Sequence, residues 1–242
     1  MCIRNNLRLI IAMLIMWMGM AMCQARTFVV CVGINDYPRA PLHKCVADAD
    51  SIRYIYDHQP NAKVCVLRNR QATKATIIST MRTVFSEATA KDLIVFFFSG
   101  HGYPGGFVAI DGTLPYSDVR KAFAASQASH KMIFADACFA GKMRSGKASA
   151  QQQNQMKEAD VMLFLASRSN ETSLESNTMS NGYFTSALKR GLRGGADVNR
   201  NRIITARELF EYVSTKVKNN TQGKQHPVMW GRFDDNMPVI KW

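Results

Sequence analysis

The feature that most limits the possible folds is a set of short apolar runs separated by amphipathic stretches. The run DLIVFFF at residues 92–98 has six consecutive apolar residues, which is typical of a strand buried on both faces of a parallel sheet. Similar runs predict strands at residues 27–34, 62–67, 131–136, 160–167 and 237–242. Apolar residues at helical spacing predict helices at residues 46–58 and 73–88, from 117, and around 183–192 and 206–217. This alternation predicts an α/β fold with a mostly parallel, six-stranded sheet and helices on both faces. Residues 106–116 are expected to form a small hairpin.

The first 25 residues have the features of a secretory signal peptide. Arg4 and Arg8 precede an uninterrupted apolar run at residues 9–22, and the small Ala25 follows shortly after. We therefore expect cleavage after Ala25, a single domain at residues 26–242, and export to the periplasm or beyond.

Two other uses of this leader are disfavoured. The apolar run is too short to span a bilayer comfortably, so no stable membrane span is expected in the mature chain. A lipid attached at Cys23 is disfavoured because Met22 is bulky where such sites prefer a small residue.

Charge and cysteine usage narrow the partners and cofactors. Lys and Arg number 31 against 18 Asp and Glu, a formal net charge of +13. No compact basic motif with interleaved aromatic residues is present, so a solvated basic surface is favoured over nucleic-acid binding. Outside the leader, Cys31, Cys45, Cys65 and Cys138 show no CxxC spacing, which argues against zinc. The sequence does not decide whether two of the first three form a disulfide.

One histidine and one cysteine follow consecutive predicted strands. His101 lies between Gly100 and Gly102 after the run at 92–98, and Cys138 follows the run at 131–136. Both are expected at one edge of the sheet, where open α/β sheets bind ligands. A thiolate and an imidazole are the reacting groups of a cysteine protease. The flanking glycines allow a sharp turn near bound peptide, and the N–H groups of Gly102 and Cys138 are candidate oxyanion donors.

The motifs SGHG and DACFAG after successive strands resemble those of caspase-like cysteine peptidases, the metacaspase branch in particular. VGINDY, LHKCVADA, NGYFTSAL and ITARELFEYV occur in the family's order. The resemblance covers nearly the whole mature chain and implies the caspase-like three-layer sandwich. It also implies that His101 is the catalytic histidine, Cys138 the nucleophile, and Gly102 and Cys138 the oxyanion hole, with a peptide or protein as substrate.

The same resemblance implies a pocket for a basic residue. Asp136 stands where caspases that cut after Asp have Gln, as in metacaspases that accept Arg or Lys at P1. Asp48 matches the second pocket carboxylate, although Ala47 replaces the usual Asn before it. Two carboxylates converging on a guanidinium give charge-assisted recognition. The alternative role for Asp48 is that of an acid near a helix N-terminus, where it stabilises the helix dipole.

Metal and cofactor binding is not expected. The segment GKMRSGK after the nucleophile is basic, so the calcium dependence of many metacaspases does not carry over. A second segment, Asp197 to Glu208, has the Asp, Asn, Asn and Glu spacing of an EF-hand loop, but Arg202 replaces the usual Gly. We interpret it as a loop leading into a helix.

The basic segment lies where caspase-like enzymes are often cut into two associated subunits. Lys142, Arg144 and Lys147, in the loop that continues to residue 157, are therefore candidate sites of self-cleavage. Two alternatives to an Arg/Lys-specific enzyme are a catalytically idle interaction domain and a related peptidase with another P1 preference. The intact pair of His101 and Cys138 disfavours the first, and the two carboxylates disfavour the second. The sequence does not indicate an oligomeric state.

Overall fold

A six-stranded sheet forms the centre of the protein. The structure is a computed structural model, and it describes residues 25–103, 105–137, 161–167, 180–231 and 233–241. The sheet strands, labelled in chain order, are β1 (Thr27–Gly33), β2 (Ala62–Arg68), β3 (Leu93–Ser99), β7 (His130–Asp136), β8 (Val161–Leu165) and β10 (Val228–Trp230). Their order is β2-β1-β3-β7-β8-β10. Neighbours are parallel except at β8–β10, which is antiparallel.

Two smaller sheets and several helices surround the central sheet. The first small sheet is a hairpin unit with strands β4 (Gly102–Tyr103), β5 (Gly106–Ala109) and β6 (Gly112–Pro115). The second pairs β9 (Ile203–Thr205) with β11 (Pro238–Lys241). The helices are α1 (Cys45–Asp57), α2 (Lys74–Phe85), α3 (Tyr116–Ala124), α4 (Tyr183–Arg190) and α5 (Ala206–Asn220).

Alternate residues of the buried strands pack into two separate cores. In β3, Phe96 and Phe98 pack in the core that includes residues of α2 and α3. Val95 and Phe97 point to the other face and share a core with α1, α4 and α5. Both faces of β3 are therefore apolar, which explains its uninterrupted apolar sequence. The predicted three-layer α/β architecture is confirmed.

The sixth sheet strand differs from the expected one. The strand predicted at residues 237–242 exists as β11, but it pairs with β9 outside the central sheet. The sixth position is taken by the three-residue β10, whose side chains are only partly buried. An antiparallel edge strand of three residues is too short to show a clear apolar alternation, so no sequence pattern indicates it.

Within the described ranges, no helix is both long enough and apolar enough to traverse a bilayer.

Candidate active site

The segments that lead to the predicted dyad leave the sheet side by side. Ser99 at the end of β3 is in register with Asp136 at the end of β7. The N–H of Gly100 donates to the carbonyl of Asp136 at 3.3 Å. His101 follows the first strand directly, at the sheet edge where it was expected. Cys138 lies outside the described residues, so its position relative to His101 stays a prediction.

The imidazole of His101 is half-buried and held on two sides. Its Nε2 lies 2.6 Å from the carbonyl oxygen of Ala40. Because a carbonyl oxygen only accepts, Nε2 carries the hydrogen and Nδ1 is the basic nitrogen. The ring also packs against Tyr37, with centroids 4.6 Å apart and planes tilted by 50°. The side chain is thus oriented for proton transfer through Nδ1.

The loop that supplies Tyr37 and Ala40 is fixed by asparagine side chains. The N–H of Asn35 donates to Oδ1 of Asn69 at 2.8 Å. Oδ1 of Asn35 in turn accepts the N–H of Val46 at 3.2 Å. These contacts tie the loop after β1 to the end of β2 and to α1, so the partners of His101 have defined positions.

The two glycines around His101 have a different role from the one expected. Neither has the positive φ of a left-handed turn. A Cβ on Gly100 would lie 2.5 Å from the hydroxyl oxygen of Tyr37, so a side chain there would displace that tyrosine. Gly102 begins β4 and pairs with Phe107 of β5. Its function as an oxyanion donor stays a prediction.

The carboxylates of Asp48 and Asp136 come together beside this edge. The side-chain oxygens of both residues face Gly182: a Cβ there would lie 2.9 Å from Oδ2 of Asp136 and 3.6 Å from Oδ2 of Asp48. Both residues are buried, with 2% and 7% of their surface exposed. Asp48 also contacts Ser99 of β3, whose Oγ donates to its Oδ2 at 2.9 Å. The structure therefore brings together the two residues that the resemblance assigned to one pocket.

The donors that reach the carboxylates from residues 181–185 are neutral. Oδ1 of Asp48 accepts from Nδ2 of Asn181 at 2.9 Å and from the N–H of Gly182 at 3.2 Å. Oδ2 of Asp136 accepts from Oγ1 of Thr185 at 2.7 Å and from its N–H at 3.2 Å. The arrangement is suited to receiving a positive charge.

Burial and the neighbouring negative charge of Asp136 raise the pKa of Asp48 to about 8, against the opposing effect of its hydrogen-bond donors. A bound cation would favour the ionised form of Asp48, so cation binding and proton release are linked at this site.

The loop from Asp197 to Glu208 uses its acidic side chains to bind its own backbone and side chains. Asp197 accepts the N–H groups of Asn201 and Arg202 at 3.1 and 3.0 Å. Oε2 of Glu208 accepts the N–H of Thr205 at 3.0 Å as part of a capping box for α5. These contacts fit the interpretation of a loop leading into a helix. Among the described residues, no group of three or more His, Cys, Asp or Glu side chains is arranged to hold a metal ion.

The remaining predicted features concern the cysteines and positions outside the described residues. None of Cys31, Cys45 and Cys65 forms a disulfide. Lys142, Arg144 and Lys147 lie outside the described residues, as do residues 1–24 of the leader.

Several residues of the site were not predicted by sequence reasoning. They are Tyr37, Ala40, Ser99, Asn181 and Thr185. Four of them lie within quoted motifs: Tyr37 in VGINDY, Ser99 in SGHG, and Asn181 and Thr185 in NGYFTSAL. Their place inside these motifs was the available signal.

Comparison with known proteins agrees with this architecture. The family model described as "Caspase domain" matches residues 26–237. The fold is similar to the crystal structure of protein GSU0716 from Geobacter sulfurreducens, with a TM-score of 0.66 and 17% identity over 90% of this chain and 97% of that one. This likeness concerns the fold alone. Among curated proteins, none matches the chain.

Proposed function

The chain belongs to the caspase-domain family of cysteine peptidases, and from this membership we propose that it is an active endopeptidase that cleaves after Arg or Lys. The observation that supports the specificity is the buried pair of Asp48 and Asp136, whose carboxylate oxygens both lie beside Gly182. The pair lies at the same sheet edge as His101.

In the proposed reaction, Nδ1 of His101 takes the proton of the Cys138 thiol. The thiolate sulfur attacks the scissile carbonyl carbon, and the N–H groups of Gly102 and Cys138 stabilise the resulting oxyanion. The imidazolium then gives its proton to the leaving amine as the C–N bond breaks, leaving a thioester. Water adds to the thioester with His101 as base, which releases the acid and restores the thiol.

The protein's contribution to this chemistry is the orientation of His101. The carbonyl of Ala40 accepts the Nε2 hydrogen, which keeps the tautomer whose Nδ1 can accept a proton. The same carbonyl stabilises the imidazolium that forms transiently, because its dipole points at the charged ring.

The pocket distinguishes substrates by charge. An arginine guanidinium offers paired N–H donors to the two carboxylates, and a lysine ammonium offers a compact charge. An aspartate at P1 would add a negative charge to the pair and is expected to be rejected.

A set of fluorogenic peptides that differ only at P1 (Arg, Lys, Asp and Asn) tests the proposal under reducing conditions. We expect turnover of the Arg and Lys peptides and none by Cys138→Ala. Asp136→Asn should raise KM for Arg, whereas Asp118→Asn on the surface of α3 should not. Turnover of the Asp or Asn peptide alone would show another P1 preference. No turnover of any peptide would favour the idle interaction domain.

We further propose that the enzyme cuts its own chain at Lys142, Arg144 or Lys147. Each offers the basic P1 residue that the pocket prefers. Mass spectrometry of purified wild type beside Cys138→Ala tests this: fragments should end at these residues in wild type only. Identical fragments in both proteins would rule out self-processing.

Export is also a proposal, and it is supported by the leader sequence. Expression of the full chain in a bacterium with a periplasm should yield a periplasmic or secreted protein that begins at residue 26. A cytoplasmic protein that keeps residues 1–25 would contradict this.

A further inference from the structure

The first turn of α4 contacts both carboxylates of the pocket. Gly182, the residue that caps this helix, has no side chain with which to bind the free N–H groups of the first turn. Carboxylates from two other elements bind them instead: Asp48 of α1 accepts the N–H of Gly182, and Asp136 of β7 accepts the N–H of Thr185. The positive end of the helix dipole is therefore directed at the pair.

Side chains of the same segment add a second bond to each carboxylate. Oγ1 of Thr185 donates to Oδ2 of Asp136 at 2.7 Å, and Thr185 is fully buried. Nδ2 of Asn181 donates to Oδ1 of Asp48 at 2.9 Å. Each carboxylate thus receives one backbone and one side-chain bond from residues 181–185, which fixes the direction of its plane.

The orientation of the Asn181 amide is determined by charge on both sides. Its nitrogen faces Asp48, while its Oδ1 lies 3.5 Å from Nζ of Lys189, near the end of α4. The opposite orientation would place the amide oxygen against the carboxylate. Nζ of Lys189 also lies 3.4 Å from Oγ of Ser51. The amide dipole is therefore aligned between a cation and the pocket carboxylate.

We propose that Thr185 and Asn181 are positioning residues that set the P1 specificity by holding Asp136 and Asp48 in the geometry that receives a guanidinium. This inference rests on the proposed function of the pocket. Ala47, directly before Asp48, has no amide group; the amide that contacts Asp48 comes from Asn181, 133 residues later in the chain.

Thr185→Val tests the first residue, because it keeps the shape and removes the hydroxyl, and Thr185→Ser is its matched control. The probe is agmatine, a free guanidinium ligand, with binding measured by calorimetry. We expect Thr185→Val to weaken agmatine binding about tenfold, as for a lost hydrogen bond to a charged group. Thr185→Ser should stay near wild type. The rate of Cys138 alkylation by iodoacetamide should be the same in all three proteins, since the dyad is not altered.

Asn181→Ala tests the second residue, and it also tests the proposal if Thr185→Val does not fold. Loss of this donor should raise the pKa of Asp48 further, in the same direction as burial and the negative charge of Asp136 from β7. The cation of α4, Lys189, contacts the amide oxygen of Asn181. The pH at which agmatine binding is half-maximal should therefore move upward, which a residue of purely structural importance would not cause.

The outcomes separate the two proposals. If wild type binds agmatine and cleaves Arg peptides but both variants do so equally well, the positioning role is wrong and the pocket stands. If wild type neither binds agmatine nor cleaves Arg or Lys peptides, the pocket assignment is wrong and the positioning role falls with it.

Discussion

The hydroxyl of Tyr37 accepts the backbone N–H of His101 at 3.1 Å and donates its own hydrogen to the carbonyl of Val108 at 2.7 Å. Tyr37 comes from the loop after β1, 64 residues earlier in the chain than the histidine. One buried side chain thereby joins three segments at the point where His101 leaves the sheet. The position of His101 depends on this contact as well as on its own glycine-flanked sequence.

Tyr37→Phe should lower kcat for an Arg peptide about fivefold and leave KM nearly unchanged. The variant keeps the ring that packs on His101 and removes the hydroxyl that accepts its N–H, a bond worth about 1 kcal/mol. Steady-state kinetics check this. Tyr54→Phe is the matched control, because Tyr54 is 53% exposed and far along α1. An unchanged kcat for Tyr37→Phe would show that the hydroxyl does not position the histidine.

Gly100→Ala should lower kcat more than Tyr37→Phe does, because its Cβ would lie 2.5 Å from the Tyr37 hydroxyl oxygen and displace the whole ring. The double variant should lose less activity than the sum of the two single effects, since removal of the hydroxyl relieves the clash. A double-mutant cycle on kcat measures this coupling. If the effects of the two single variants on kcat simply add, Gly100→Ala does not act by displacing Tyr37.

The raised pKa of Asp48 should make the protein less stable as pH increases from about 4 to about 8. In that range the folded protein keeps a proton on Asp48 that the unfolded chain has lost, so the free energy of unfolding falls by up to about 1.4 kcal/mol per pH unit. Above pH 8 this effect should level off. Urea unfolding across pH measures the slope.

Asp48→Asn should remove this decrease in the free energy of unfolding between about pH 4 and pH 8. A second buried aspartate, Asp92, makes the protein more stable as pH rises. Burial alone would raise the pKa of Asp92, but hydrogen bonds from Thr89 and Arg26 lower it to about 2. Its stabilising effect is therefore present above about pH 4 and lost as pH falls through 2. Asp92→Asn should remove the pH dependence in this acidic range and lower the free energy of unfolding by a constant amount above it. An equal slope between pH 4 and 8 in wild type and Asp48→Asn would contradict the raised pKa.

Calcium should not stabilise the protein through the loop from Asp197 to Glu208. Both oxygens of Asp197 accept backbone N–H groups, and Oε1 of Glu208 accepts Nδ2 of Asn199 at 2.8 Å. Thermal unfolding with calcium chloride or with EGTA should give the same midpoint. A double variant, Asn201→Asp with Arg202→Gly, adds a carboxylate and removes a cation, and it is the positive control. A calcium-dependent midpoint in wild type would overturn this interpretation.

The fold was predictable from sequence because its central strands are buried on both faces. In a strand such as residues 92–98, side chains on both sides of the sheet are apolar, so the strand is an uninterrupted apolar run that can be recognised from sequence alone. The edge strand β10 was not predictable, since three partly exposed residues leave no such pattern. The predicted pairing of β11 with the main sheet edge failed for the related reason that a strand's partner depends on tertiary contacts.

The site was predictable only in part. His101 and Asp136 follow apolar strands, so their place at the sheet edge follows from chain order. Asn181 and Thr185 act through contacts with Asp48 and Asp136 across 133 and 49 residues, and no local pattern indicates which donor will meet which carboxylate. The need for glycine at position 100 could not be predicted either, because Tyr37, which leaves no room for a side chain there, is distant in sequence.

Covalent labelling with a peptide chloromethyl ketone that has Arg at P1, followed by peptide mapping, tests the dyad of Cys138 and His101 most directly. We expect one adduct, on Cys138, formed much more slowly in His101→Ala and blocked by agmatine. Cys65 is the internal control, because it is a free and partly exposed thiol. Labelling of Cys65 in place of Cys138, or an equal rate of Cys138 labelling in wild type and His101→Ala, would contradict the Cys138–His101 dyad.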